Sequence, residues 1–275
     1  MALQAEEKKR FEQIAKELRL TIIDVMAWSG GAHVGGSLSI VEILTLLYFK
    51  YLNIDPKNPK WDRDRFILSK GHTAAGYIPV LAKRGYFDEE LLKSFNHFGS
   101  PFAMHPDCNK VIGCDASAGS LGHGLSMAVG LGLGATQLKK PWKTVCLMGD
   151  GECCEGSVWE AAMSAAHFKL DNIVGIVDRN RLMIDGCTED VMALEPFADK
   201  WRAFGWNVIE VNGHDLDELD CALDAAWKAE GKPTLILANT VKGKGVDFME
   251  NNVVYHYASG DSALCEKAKA SIMRG

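Results

Sequence analysis

Two stretches decide the fold: Thr144-Val145-Cys146-Leu147-Met148-Gly149-Asp150-Gly151 and Ile173-Val174-Gly175-Ile176-Val177-Asp178-Arg179-Asn180. Each is a short apolar run, rich in β-branched residues, that stops at a polar turn. Such runs, separated by helical segments, read as buried strands of a parallel sheet. The spacing predicts strands over Thr144–Met148 and Ile173–Val177 joined by helix Val158–Phe168. Helix Leu194–Phe204, strand Asn207–Val211, helix Leu216–Ala229 and strand Thr234–Asn239 continue the alternation. Repeated βαβ units of this kind give an α/β fold, a mostly parallel sheet with helices on both faces.

Upstream, Arg65–Ser69 reads as one more strand and Glu7–Ala27 as an amphipathic helix ended by Gly30-Gly31. A second, strongly apolar helix is expected over Ile40–Tyr51, closed by a loop at Asn53–Pro59. Thr73–Arg84 reads as a helix with Gly85 at its C-cap. Residues 95–120 form a long irregular stretch, and a loop of that length inside a compact domain is usually functional. The Gly- and Ala-rich Leu121–Leu138 suits a tightly packed helix. With no internal repeat or linker, residues 1–275 read as one domain with an N-terminal helical segment over about 1–52.

Composition excludes several classes. The 275 residues carry 30 Lys+Arg against 36 Asp+Glu, a net charge of −6, with no basic run to neutralise nucleic-acid phosphates. The apolar stretches fall far short of the roughly 20 residues that span a bilayer. The N-terminus shows no secretory h-region. Eight cysteines without CxxC or zinc-like spacing fit a reduced, cytoplasmic chain. Neither GxxxxGK[ST] nor GxGxxG after a strand is present, so the Walker and dinucleotide phosphate sites are excluded.

Ligands of open α/β sheets lie beyond the carboxyl ends of the strands. There the chain places Gly149-Asp150-Gly151 and, thirty residues on, Asn180. Gly-Asp-Gly alone is an ordinary turn. With Asn180 at the next strand end, a carboxylate and an amide oxygen converge as hard ligands for Mg²⁺, to be completed by a backbone carbonyl and diphosphate oxygens. A helix starting near Ser157 aims its positive end at the same place.

Gly149-Asp150-Gly151 followed by Asn180 resembles the thiamine-diphosphate-binding motif of the transketolase-like enzymes. Similar segments extend the likeness from about Ser29 to His256. They include Ser37–Leu44, Asp64–His72, Gly119-Ser120-Leu121-Gly122-His123-Gly124, Glu155-Gly156, Glu160-Ala161, Lys232-Pro233-Thr234 and Thr240-Val241-Lys242-Gly243-Lys244-Gly245. Single-chain members carry a diphosphate-binding domain, a pyrimidine-binding domain and a C-terminal domain, and only the first has a counterpart here. The resemblance therefore implies the N-terminal subunit of a split transketolase, working with a separate C-terminal subunit in an α2β2 heterotetramer.

The same resemblance implies roles for single residues. Asp150, Asn180 and the Leu182 carbonyl would hold Mg²⁺, for which Ca²⁺ or Mn²⁺ could substitute. Gly119, Leu121, Gly151, Glu155, His72 and His256 would line thiamine diphosphate, together with Asp150 and Asn180. His33, His105 and His256 would bind the sugar, with His33, His72 and His256 nearest the chemistry. Glu155 and Glu160 would join a carboxylate network towards the neighbouring subunit. His123 stands where many members carry glutamine, while His97, His167 and His214 read as structural. Two departures, Val34 after the first histidine and Tyr257 after the last, bear on the sugar channel.

The implied reaction is transfer of a two-carbon ketol unit from a ketose to an aldose. The glutamate that activates the cofactor belongs to the other subunit, so this chain alone would be inactive. Other readings are the α-type subunit of a 2-oxoacid dehydrogenase, a deoxyxylulose-phosphate synthase type, and a non-catalytic scaffold of the same fold.

Overall fold

In the computed structural model, which describes residues 3–58 and 62–275, the chain opens with helix α1 (Ala5–Trp28). Its buried Phe11, Ile14, Leu18, Ile22 and Val25 recur at helical spacing. Gly30, at φ +74°, turns the chain out of the helix. Gly31–Ala32 then forms the two-residue strand β1. In order there follow α2 (Val34–Leu38), α3 (Val41–Leu46), β2 (Arg65–Leu68), α4 (Ala74–Arg84), α5 (His123–Gln137), β3 (Thr144–Gly149) and α6 (Gly156–His167). The second half runs β4 (Ile173–Arg179), α7 (Thr188–Val191), α8 (Phe197–Ala203), β5 (Asn207–Asn212), α9 (Leu216–Lys228), β6 (Thr234–Asn239), β7 (Ala258–Ser259) and α10 (Ser262–Arg274).

Strands β2 to β6 form one parallel sheet in the order β2-β3-β4-β6-β5, and β1 pairs antiparallel with β7. Alternation along the strands feeds two cores. Val145, Leu147, Val174, Ile176 and Ile236 face the helices α1, α3, α4 and α9. Cys146, Met148, Ile173, Val177, Leu235 and Leu237 face α5, α6 and α8. Each such aliphatic side chain contributes about 1.5–3 kcal/mol through burial, so the sheet is a rigid platform for whatever its rim carries. Among the described residues no helix is long and apolar enough to cross a membrane, and all eight cysteines are free.

The expected strands are present within two residues, and β3 and β4 are neighbours, with Gly149 opposite Asp178. Gly85 caps α4 at φ +95°, and residues 95–120 hold no helix or strand beyond a single turn. Several details differ. The helix expected over Ile40–Tyr51 is α3 followed by a wider five-residue π turn, Leu47–Tyr51. That turn lets the Tyr48 hydroxyl meet Tyr77 at 2.9 Å and Tyr51 donate to Asp220 at 2.7 Å. The helix expected from Leu194 begins at Phe197, because Pro196 holds the preceding chain extended. Helix α2, unforeseen because two of its five residues are glycine, is wholly buried. A Cβ at Gly35 would stand 2.7 Å from the Tyr255 carbonyl oxygen. The C-terminal α10 was also unforeseen, although Asp261 caps it and Cys265, Ala268 and Ile272 form its buried stripe. Pro59, at the end of the expected 53–59 loop, lies outside the described residues.

Candidate active site

The carboxyl end of β3 turns through Asp150 into a short helical turn, Gly151–Cys154. Asp150 is 2% exposed. Its carboxylate accepts from the Gly151 amide at 2.8 Å, the Arg181 amide at 2.6 Å and the Arg179 guanidinium at 3.3 Å. Asp150 thus fastens the end of β3 to the chain just past β4, beyond Asn180. Burial pushes its carboxyl up, and the charge of Asp178 adds to that. A cation at this point would relieve both effects.

Asn180 is oriented by its neighbours. Its Nδ2 donates to Asp178 at 2.8 Å, which turns Oδ1 towards the Leu182 amide, 3.1 Å away. Asp178, missed in the sequence, is the hub of the site. It is fully buried and also accepts from Ser39 at 2.8 Å, from Lys70 and from Thr240. Burial pushes its carboxyl up, but Lys70 more than offsets this and holds it below the usual range. Lys242 was missed as well. The residue is 3% exposed, its ammonium donates to the Leu182 carbonyl at 2.8 Å, and burial beside Lys70 lowers it to about 8. The signal available for both lysines was their setting between glycines and turn residues, in Ser69-Lys70-Gly71 and Val241-Lys242-Gly243.

Across from these donors stand the histidines. Ring centroids of His33 and His72 are 5.2 Å apart, of His33 and His256 5.4 Å, and His72 stacks on His256 at 5.4 Å with planes 19° apart. Burial lowers His72 to about 2 and His256 to about 3, and it lowers His33 too. All three rings are neutral near pH 7. Nδ1 of His33 and of His256 is buried without a hydrogen-bond partner, and a buried polar atom of that kind is costly unless a ligand satisfies it. His105 lies over the same patch, its Cδ2 3.4 Å from where a Gly71 Cβ would stand. Tyr257 packs edge-on against His33 at 5.1 Å.

The glycines divide by role. A Cβ at Gly119 would meet nothing within 4 Å, and one at Gly149 only Glu152 at 3.9 Å, so the backbone there is open to a ligand. At Gly151 the Cβ direction is filled by Met183 at 3.0 Å, and its amide already donates to Asp150. Glu152 clamps the turn by accepting from Ser69, from the Gly122 amide at 2.8 Å and from the Gly149 amide at 2.9 Å. Leu121, His123, Glu155 and Glu160 are exposed, Glu160 within α6. His97 meets the Trp28 carbonyl at 2.9 Å, His167 packs on Phe168, and His214 bridges Glu42 and Val241.

These residues fit a divalent cation carrying a diphosphate. Among the described residues no group of three or more His, Cys, Asp or Glu could hold a metal by itself. The hard donors near Asp150 are instead an amide oxygen and a backbone carbonyl, which leaves coordination positions for a ligand's own oxygens.

Oxygen donors at the carboxyl rim of a parallel sheet, beside open glycine backbone, are the arrangement expected of a diphosphate-binding domain. The family described as "Transketolase, thiamine diphosphate binding domain" matches residues 11–272, and the chain belongs to it. It is 43% identical over 253 residues to the 6-deoxy-6-sulfo-D-fructose transketolase subunit SqwG of Clostridium sp. (strain MSTE9), covering 92% of each. It is 40% identical to an apulose-4-phosphate transketolase subunit from Phocaeicola vulgatus, covering 91% of this chain and 89% of that one. The transketolase of Pichia stipitis in complex with sedoheptulose-7-phosphate superposes with a TM-score of 0.90 at 30% identity. That match covers 96% of this chain and 40% of the other. The chain thus spans about four-tenths of the solved transketolase but nine-tenths of the subunit-type relatives. It is an N-terminal transketolase subunit of the split type.

Proposed function

We propose that this chain is the metal- and diphosphate-holding half of a heteromeric transketolase that moves a two-carbon ketol unit from a ketose to an aldose. The observation that supports the reading is the Asp150–Arg181 hydrogen bond, because it ties the Asp150 carboxylate to the backbone between Asn180 and Leu182. Asp150, Asn180 and the Leu182 carbonyl would hold Mg²⁺, with Ca²⁺ or Mn²⁺ able to substitute. Lys242 would release that carbonyl and turn to the diphosphate. His72, Gly119, Leu121, Gly151, Glu155 and His256 would line the rest of the cofactor.

When bound, thiamine diphosphate supplies the carbanion stabilisation that cleaves a carbon–carbon bond beside a carbonyl. The chain's own contribution is hydrogen bonding and proton handling. A neutral imidazole has one N–H donor and one accepting nitrogen. His33 and His256 can therefore satisfy their unpartnered Nδ1 atoms on sugar hydroxyls, or hold a proton transferred from one. His105 extends that wall along the polyol. The relatives' names point to a ketose with an acidic end, a phosphate or sulfonate, as the donor sugar.

The pyrimidine pocket and the activating glutamate would come from a separate C-terminal subunit, in an α2β2 assembly. The free thiols support a reducing, cytoplasmic setting. The intact donor set argues against a non-catalytic scaffold, and the transketolase names of the relatives against the 2-oxoacid dehydrogenase and deoxyxylulose-phosphate readings. The test is to assay ketol transfer with the purified chain, then with the C-terminal partner present. Activity only in the mixture, lost in Asp150→Ala, is expected. Turnover by the single chain would refute the reading.

A further inference from the structure

Lys242 stands in a segment with little stiffness of its own. Gly243 and Gly245 both sit at positive φ, +81° and +91°, and the sheet ends three residues earlier at Asn239. Backbone bonds hold part of it, from the Gly243 amide to the Gly35 carbonyl and from the Asn251 amide to the Lys242 carbonyl, both at 2.9 Å, and side chains brace it at two further points flanking Lys242. The Val241 amide donates to His214 Nε2 at 2.8 Å, and the Lys244 carbonyl accepts from Arg19 Nε at 3.1 Å. Both braces meet on one carboxylate. His214 Nδ1 contacts Glu42 Oε2 at 3.0 Å, while an Arg19 terminal nitrogen donates to Glu42 Oε1 at 2.5 Å. Because Nε2 accepts from Val241, the ring proton must lie on Nδ1 and point at Glu42, which fixes tautomer and ring plane together. Arg19, Glu42 and His214 also line a polar basin of about 970 Å³ that contains none of the histidines of the active site.

We infer that His214, braced by Glu42 and Arg19, is a positioning residue that sets where the Lys242 ammonium stands for the cofactor's diphosphate. The inference rests on the proposed diphosphate site. The His214 ring has Glu42 and the Val241 amide as its hydrogen-bond partners, so its influence on Lys242 runs through Val241. Groups that orient a ligand-binding residue in this way typically cost about tenfold or more in affinity when removed.

The test titrates thiamine diphosphate into the assembled enzyme at fixed magnesium, and follows hydrogen exchange of segment 240–245 in the chain by itself. His214→Leu should weaken thiamine diphosphate about tenfold and speed exchange at Val241. His214→Gln keeps an acceptor for Val241 and a donor for Glu42, and should restore both to within about twofold of the parent. Lys242→Met should weaken binding, and His214→Leu added to it should cost nothing more, because the two act in series. A general loss of packing would instead add to the Lys242→Met effect, and full additivity overturns the inference. So does unchanged affinity in His214→Leu while Lys242→Met binds weakly. If Lys242→Met itself binds as the parent does, the diphosphate reading of the site falls and the positioning role with it.

Discussion

His72 and His256 stack with centroids 5.4 Å apart and planes 19° apart, although one follows strand β2 and the other precedes β7. Burial holds both rings neutral, His72 at about 2 and His256 at about 3, against 6.5 for a free imidazole.

A pH dependence of stability follows. A histidine depressed in the folded state is protonated first in the unfolded chain. Its stabilisation is therefore complete above about pH 6.5 and is lost as pH falls below that. Buried Asp150 and Glu152, whose carboxyls are raised, act in the opposite sense, so the comparison must be made against a variant. The loss in urea midpoint between pH 7.5 and pH 5 should be smaller in His72→Gln than in the parent. Equal losses would show that His72 does not titrate differently on folding.

Metal dependence can be tested on the proposed oxygen donors. Stripping the assembled enzyme with a chelator should abolish activity, and Mg²⁺, Ca²⁺ or Mn²⁺ should restore it. Asn180→Ala removes one donor and also frees Asp178 from a hydrogen bond. It should lower kcat/KM by about two orders of magnitude. Activity unaffected by Asn180→Ala would remove it from the ligand set.

The sugar side is probed at Tyr257. Its ring packs edge-on against His33, and a Cβ at Gly31 would lie 2.5 Å from its hydroxyl oxygen. It can therefore be removed without touching the oxygen donors. Tyr257→Gly should change the KM of the ketose about tenfold while leaving the Kd of thiamine diphosphate within twofold. A shift in cofactor affinity instead would place Tyr257 on the other side of the site.

Gly71 supports the site through close contact with backbone. A Cβ there would stand 2.0 Å from the Ala118 carbonyl oxygen, next to the open Gly119. Gly71→Ala should cost about 1–3 kcal/mol through overpacking, read as a fall of several degrees in Tm. It should also weaken thiamine diphosphate by displacing the 118–119 backbone. An unchanged Tm would mean that this contact is slack.

Much of this was legible in the chain. The alternation from Thr144 to Asn239 reports local periodicity, and the sheet follows it within two residues. Asp150 and Asn180 were legible because both sit where a strand stops, and neighbouring parallel strands share a rim. The role of Asp178 was not legible, since in sequence it is one more polar residue of the turn that follows Val177. Its importance comes from Ser39, Lys70 and Thr240, which three other segments bring to it. His214 reads as structural in the sequence because nothing near it shows that Glu42 and Val241 close on its ring.

The sequence by itself determined the class of fold, the strand ends that carry the site, and the oxygen donors and histidines available there. Those features depend on residue type and short-range spacing, which a chain carries whether or not it is folded. Only the tertiary structure decided that three histidines touch and stay neutral. The same is true of the buried Lys242 on the Leu182 carbonyl, and of Asp178 as the common acceptor. Those outcomes arise from burial and from hydrogen bonds between residues far apart in sequence, and such contacts exist only once the sheet and its helices have closed around them.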